Sequence, residues 1–297
     1  MQVLTAGTGT VYQIAFAPDG GALAVCSMKH SPLVWELPAT GDPVALGSGP
    51  LRHVTFSPDS LVVSWASGHK HNEYHRDTGE TRLLSLLPET EFLLAHEVAH
   101  TGRLVVCTGE TAIGWRVRAF DPNSAGGWRE AWCVGPRKTV SGSALCVASD
   151  RVFLLQEVKR NRHLAVRDLN TGAELGRVPL STGYLVSLVA PHDGSRVIGC
   201  WGQWLGVWNF GAKKMTKKAR ASVFAHYRAL AFHPDGRHVL AGNDDETARV
   251  IDTHTWQVVK QFEWAIGAIT AVAVSPDGAL AAAGSQTGQV VLWDLDL

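Results

Sequence analysis

The sequence predicts an all-β protein built from seven copies of one antiparallel unit, and three observations lead there. A turn phrase recurs along the whole chain at a spacing of about 42 residues. A second phrase follows each copy at a nearly fixed offset. Between them lie short apolar or alternating runs, and with one exception no stretch carries a sustained helical period capped at both ends.

The turn phrase reads FAPDG ending at Gly20, FSPDS at Ser60, AHTG at Gly102, APHDG at Gly194, FHPDG at Gly236 and VSPDG at Gly278. The double gap between Gly102 and Gly194 is filled by a degraded copy, VASDR around Asp150. Proline pre-sets φ and glycine accepts positive φ, so Pro-Asp-Gly is a tight turn. Before it runs a period-2 strand, as in Val11, Gln13 and Ala15 against Tyr12, Ile14 and Phe16. After it comes a second strand, such as GALAVCS from Gly21.

The second phrase reads VWELPATG from Val34, EYHRDTG from Glu73, RAFDPNSAG from Arg118 and AVRDLNTG from Ala165. It continues as GVWNFG from Gly206, RVIDTHT from Arg249 and VLWDLDL from Val291. It ends a third strand and turns the chain into a fourth, so each unit is an antiparallel meander.

Composition narrows the function. The 297 residues are 45% hydrophobic and 18% charged, with 27 basic and 27 acidic side chains. A large core is expected, and the zero balance argues against nucleic acid or a membrane surface as partner. Cys26, Cys107, Cys133, Cys146 and Cys200 are widely spaced with no CxxC pair, which points to a reducing compartment and a cytoplasmic location. The amino terminus has no basic segment followed by an apolar one, so no secretory signal is expected.

The two interlocked phrases resemble those of the WD-repeat family, clearest in the first, sixth and seventh copies and weakest in the third and fourth. The resemblance implies a seven-bladed β-propeller, one four-stranded antiparallel blade per repeat, with residues 1–297 as a single domain. Blades are expected at about 10–48, 50–88, 91–135, 139–181, 183–224, 226–264 and 267–297. The last copy lacks an outer strand, so Gln2–Ala6 is expected to complete blade 7 and leave no open edge.

The chain also departs from the family pattern. Tryptophan at the family's WD position survives at Trp35, Trp208 and Trp293, with Tyr74, Phe120, Arg167 and Ile251 elsewhere. The hairpin aspartate appears only at Asp245, and Ala225-His226 is the nearest relic of Gly-His. No blade holds the full Ser-His-Asp-Trp hydrogen-bond set, so apolar packing is expected to carry more of the blade contacts.

His96-Glu97-Val98-Ala99-His100 spells HExxH, which on a helix would put two zinc ligands on one face. This is the one stretch that could pass as helical. The repeat register instead places it on the inner strand of blade 3, where four residues span roughly 13 Å, too far for one zinc ion. His69 and His71 could share a face and bind a metal weakly, but a solvated hairpin tip fits that segment better. The run Lys213, Lys214, Lys217, Lys218 and Arg220 suits a charged outer edge strand, with phosphate contact as the alternative.

The resemblance implies a non-catalytic scaffold that holds a protein or peptide on one face, with no cofactor and no metal, expected to be monomeric by itself. The candidate partner-binding residues, placed by register on the rim of second hairpins and blade-to-blade loops, are Tyr12, Lys29, His30, Arg52, Trp201, Trp204, Arg228, Asp244 and Asp245. Arginine and tyrosine there would suit acidic or phosphorylated segments. For the two tryptophans, packing between blades is an equal alternative. The other reading is a propeller hydrolase or lyase with a metal or polar site at the channel mouth, or with zinc at His96, Glu97 and His100. The mostly apolar inner strands count against it.

Overall fold

The structure, a computed structural model, describes residues 1–47, 53–67, 70–110, 114–123, 127–137, 139–158, 161–180, 185–212, 214–221 and 225–297. Their strands form seven four-stranded antiparallel sheets, and the described residues contain no helix. In blade 1 the strands run outward from the axis as Val11–Phe16, Ala22–Ser27, Leu33–Glu36 and Val44–Ala45. The other blades repeat that order, as the recurring phrases require.

Each turn phrase does what its residues dictate. The N–H of Gly20, Gly102, Gly194, Gly236 and Gly278 closes back on the carbonyl three residues earlier. The aspartate side chain then accepts the N–H two residues on, as Asp19 does from Gly21 and Asp277 from Ala279. Ser60 holds the same left-handed backbone at φ 65° without being glycine. The degraded copy shortens to a two-residue hairpin, with Ala148 opposite Arg151.

Alternating inward residues fill the space between blades. Leu23 and Val25 of blade 1, for example, pack with Ala282, Val290 and Leu292 of blade 7. A side chain buried this fully is worth roughly 1.5–3 kcal/mol.

The ring closes through the amino-terminal strand. Gln2–Thr5 pairs antiparallel with Gln289–Asp294, in the register Gln2↔Leu292 to Thr5↔Gln289, as the outer strand of blade 7. Leu4 is buried there, and the Ala6 N–H donates to the Gly288 carbonyl at 2.8 Å. Gly288 must be glycine: its φ is +90°, and a Cβ would stand 2.0 Å from the Gly7 carbonyl oxygen.

Besides this apolar packing between blades, polar side chains of the inner strands stitch neighbouring blades together. Gln13 of blade 1 accepts the Val54 N–H at 3.0 Å, and Glu97 of blade 3 accepts the Val147 N–H at 2.8 Å. Ser187 of blade 5 accepts the Leu230 N–H at 3.3 Å, and Thr270 of blade 7 donates to the Val11 carbonyl at 2.7 Å. Nearer the opposite rim, arginines do the same work. Arg76 reaches Glu36, Arg103 the Leu169 carbonyl, Arg151 the Gly194 carbonyl and Arg196 the Gly236 carbonyl. All of these except the Arg76–Glu36 pair satisfy a backbone group that the sheet's own ladder leaves over.

Candidate functional site

Strands that alternate in direction put every hairpin between second and third strands on one rim, together with the connections from each outer strand to the next inner one. Bonds across that rim tie it together, including Met28 N–H to the Thr10 carbonyl and Tyr227 N–H to the Gly202 carbonyl. The rim opens onto a central channel of about 1030 Å³, lined by inner-strand residues of all seven blades.

The structure splits the candidate residues into two groups on this rim. In blade 1, Tyr12 lines the channel wall, while Lys29 and His30 sit in the hairpin. His30 is occupied: its Nε2 accepts the Thr8 N–H at 2.9 Å, and its ring lies where a side chain at Gly7 would clash. It holds the connection from the closing strand. Arg52 lies outside the described residues.

The second group spans blades 5 and 6. Trp201 and Trp204 are direct cross-strand partners at the end of the blade 5 hairpin. Trp201 packs inward against the core shared with blade 4 and over Gly206. Trp204 is half-buried beneath two cations, with Lys217 Nζ 4.7 Å and the Arg220 guanidinium 5.5 Å from its ring. The two tryptophans thus divide the readings between them, one packing between blades and the other presenting an aromatic–cationic surface.

Next to that hairpin stands a three-residue cluster. Asp244 accepts the His226 N–H at 2.6 Å, meets the His226 ring at 2.9 Å and pairs with Arg228 at 3.1 Å. Burial alone would raise the Asp244 carboxyl, but His226 and Arg228 together hold it below the usual carboxylate range. Arg228 remains half-exposed and lines the channel. Asp245 turns away to Thr247 at 2.6 Å and Arg249 at 2.6 Å, so it braces its own hairpin. Sequence reasoning valued His226 as a family relic, yet its partner is Asp244, one residue before the family's aspartate.

His96, Glu97 and Val98 end a strand, Glu91–Val98, His100 lies in the turn after it, and the motif's side chains do not converge. His96 Nε2 faces the Ser64 carbonyl at 3.2 Å, while Glu97 bonds to Val147 and His100 packs against His192, with ring centroids 5.8 Å apart. Burial, then His71 and His53, push His96 well below the usual imidazole range. Burial in the channel wall pushes Glu97 up to about 8 against the Val147 N–H, so it is largely protonated at neutral pH.

His69 lies outside the described residues, and His71 corrects the solvated-tip expectation. It is fully buried, 3.3 Å from Glu73 and edge-on to His96 and Trp128. Blade 3 covers what a lone hairpin would have left in water. In the basic run, Lys213 is outside the described residues, and Thr216–Arg220 is the exposed outer strand of blade 5.

The comparisons converge on this geometry. A family profile described as "WD domain, G-beta repeat" matches residues 218–252 and 256–294, the sixth and seventh repeats. The chain is a seven-bladed β-propeller whose sixth and seventh repeats match WD repeats. It is 24% identical over 300 residues to telomerase protein component 1 of Mus musculus, an alignment covering 96% of this chain and 9% of that protein. It is 32% identical over 81 residues to pre-mRNA-processing factor 19 of Oryza sativa subsp. japonica, covering 27% of this chain and 15% of that protein. The propeller therefore spans far less than two thirds of the length of either curated relative.

Proposed function

We propose that this WD-repeat propeller is a protein-interaction scaffold, and that it takes an acidic or phosphorylated partner segment across blades 5 and 6 on the channel rim. One observation carries the reading. Trp204, with Lys217 and Arg220 against its ring, stands on the hairpin adjoining His226 and the half-exposed Arg228 at the channel mouth. An ammonium and a guanidinium against the aromatic face, with the Arg228 guanidinium across the rim, offer both anion recognition and apolar contact.

A rigid ring suits that task, because its rim loops vary without disturbing the core. The enzymatic alternative draws no support from the channel wall, where Gln13, Glu97, Ser187 and Thr270 are spent on cross-blade bonds.

The test is quantitative capture of partners from the native host, with direct titration of those recovered. Trp204→Ala and Arg228→Ala should each weaken binding at least about tenfold, roughly 1.4 kcal/mol. Lys29→Ala, on the blade 1 side, should change it little. Retained affinity in both blade 5 and blade 6 variants would remove this rim segment as the docking face.

A further inference from the structure

On the opposite rim, the blade 6 turn phrase FHPDGRH brings two imidazoles onto one carboxylate. His233 Nδ1 lies 3.1 Å from Asp235 Oδ1, and His238 Nδ1 lies 2.6 Å from Asp235 Oδ2. Among the described residues this is the one group of three or more His, Cys, Asp or Glu whose ligand atoms lie within 4.8 Å of one another. His233 and His238 are about one-seventh exposed and Asp235 one-third, so the group is held by its surroundings yet open to an ion.

His233 Nε2 faces the Gly278 carbonyl of blade 7 at 3.3 Å. A carbonyl oxygen only accepts, so Nε2 carries the hydrogen, and a neutral ring must turn its Nδ1 lone pair toward Asp235. That lone pair accepts the Asp235 backbone N–H at 3.2 Å and lies 3.1 Å from the Asp235 carboxylate, whose Oδ1 takes the Arg237 and His238 N–H groups at 2.8 and 3.0 Å. A ring that gives its far N–H to a backbone carbonyl while aiming its near nitrogen at a carboxylate is oriented as a metal-ligating histidine is.

Nearby positive charge is engaged elsewhere. The Arg237 guanidinium pairs with Asp252 at 2.5 Å, and Arg196 is tied to the Gly236 carbonyl and the Thr253 hydroxyl.

Comparison with the other blades isolates what is special here. The aspartate belongs to the turn in every Pro-Asp-Gly copy, whereas the two histidines belong to blade 6 alone. In blades 2 and 7 the place of His233 is held by Ser57 and Ser275, whose hydroxyls donate to Asp59 at 2.5 Å and Asp277 at 2.6 Å. Leu280 of blade 7 holds the place of His238. The turn therefore needs neither imidazole in order to form.

We propose that His233, Asp235 and His238 bind one divalent transition-metal ion of the zinc type. Two imidazole nitrogens and one carboxylate suit zinc, copper or nickel rather than calcium or magnesium, which want oxygen. Tetrahedral ligands at ~2.1 Å stand roughly 3.4 Å apart, so small rotations of the two rings would seat the ion, with solvent completing the shell. Because His233 leans on the blade 7 turn, the ion staples blade 6 to blade 7. The site is on the rim away from the proposed docking face and stands or falls independently of it.

The experiment titrates chelator-treated, full-length protein with zinc by calorimetry and by thermal melting. One saturable equivalent is expected, with Tm raised by about 5 °C at a zinc concentration roughly a hundredfold above Kd. The variant carrying His233→Ser and His238→Leu recreates the blade 7 turn, so it should fold with an unchanged metal-free Tm. It should lose one equivalent and the Tm increment, and Asp235→Asn should weaken binding at least about tenfold. No saturable equivalent in the parent chain, as when a protonated His233 simply pairs with Asp235, would overturn the proposal. So would an undiminished equivalent in the double variant, which would place the zinc elsewhere.

Discussion

Between blades 6 and 7 the space is filled by rings: Trp293 lies 4.5 Å from Trp264 and 5.3 Å from Phe262. Between blades 2 and 3 the same space holds His71, Glu73 and His96, with Trp128 donating its indole N–H to Glu73 at 2.7 Å. Both pairs of blades carry the same strand order and the same ladder pattern. The backbone geometry is thus set by turns and ladders, and the filling can be apolar or polar provided the polar groups find partners. The price of polar filling is dependence on pH, which the aromatic interface does not share.

Breaking the ring should have the largest effect and strike both regions alike. Removing residues 1–6 takes the outer strand from blade 7, unburies Leu4 and Ala6 and leaves Gln289–Asp294 as a bare edge. A loss of about 4 kcal/mol or more is expected from the buried side chains and ladder bonds together. Differential scanning calorimetry should show a markedly lower Tm, and an unchanged melt would mean the closure is dispensable.

Glu91→Ala should come next, testing a polar network inside blade 3 that has no aromatic counterpart. The buried Glu91 carboxylate accepts from Thr108 at 2.8 Å and pairs with Arg116 at 2.5 Å and Arg118 at 2.6 Å. Its loss leaves two partly covered guanidinium groups without that acceptor, at a cost of about 3 kcal/mol. Burial alone would raise Glu91, but Arg118, Thr108 and Arg116 hold it below the usual range. A depressed carboxyl stabilises the fold above its unfolded pKa and stops doing so as pH falls through its folded one. The difference in stability between parent and variant should therefore shrink on acidification. A difference that stays constant from neutral to acid pH would contradict this account of the network.

Glu97→Gln should act least, and in the other direction. Glu97 is raised to about 8, so the folded chain binds more protons than the unfolded chain between the ordinary carboxylate range and that value. Its contribution to stability falls as pH rises across this window. Glutamine keeps an oxygen for the Val147 N–H and carries no charge. Because Glu97 is only half-buried and lines the open channel, solvent screens much of this effect, so the variant should match the parent near pH 4 and exceed it modestly near pH 9, as read by urea midpoints. Equal midpoints at both ends would show that Glu97 is solvated and ordinary.

These contrasts also show what could be seen from residues alone. The seven units and the closing strand were legible because both rest on local rules, with Pro-Asp-Gly for the turn and alternation for the strands. The partners of Gln13, Glu97, Ser187 and Thr270 were not, because each lies one blade away and no spacing along the chain encodes it. His71 misled for the same reason: a histidine between Lys70 and Asn72 reads as a hairpin tip until the next blade covers it. Among the rim candidates, His30, Trp201 and Asp245 brace the fold. His233 and His238 escaped notice inside a phrase already explained as a turn.

The pairing of Gln2 with Leu292 has a consequence for any longer polypeptide that carries this domain. Incoming and outgoing chain would pass side by side at one blade, on the rim of the Pro-Asp-Gly turns. The disc would hang from its host like a bead on a loop, adding almost nothing to the distance between the flanking segments, and its far face would be free to turn toward whatever it holds.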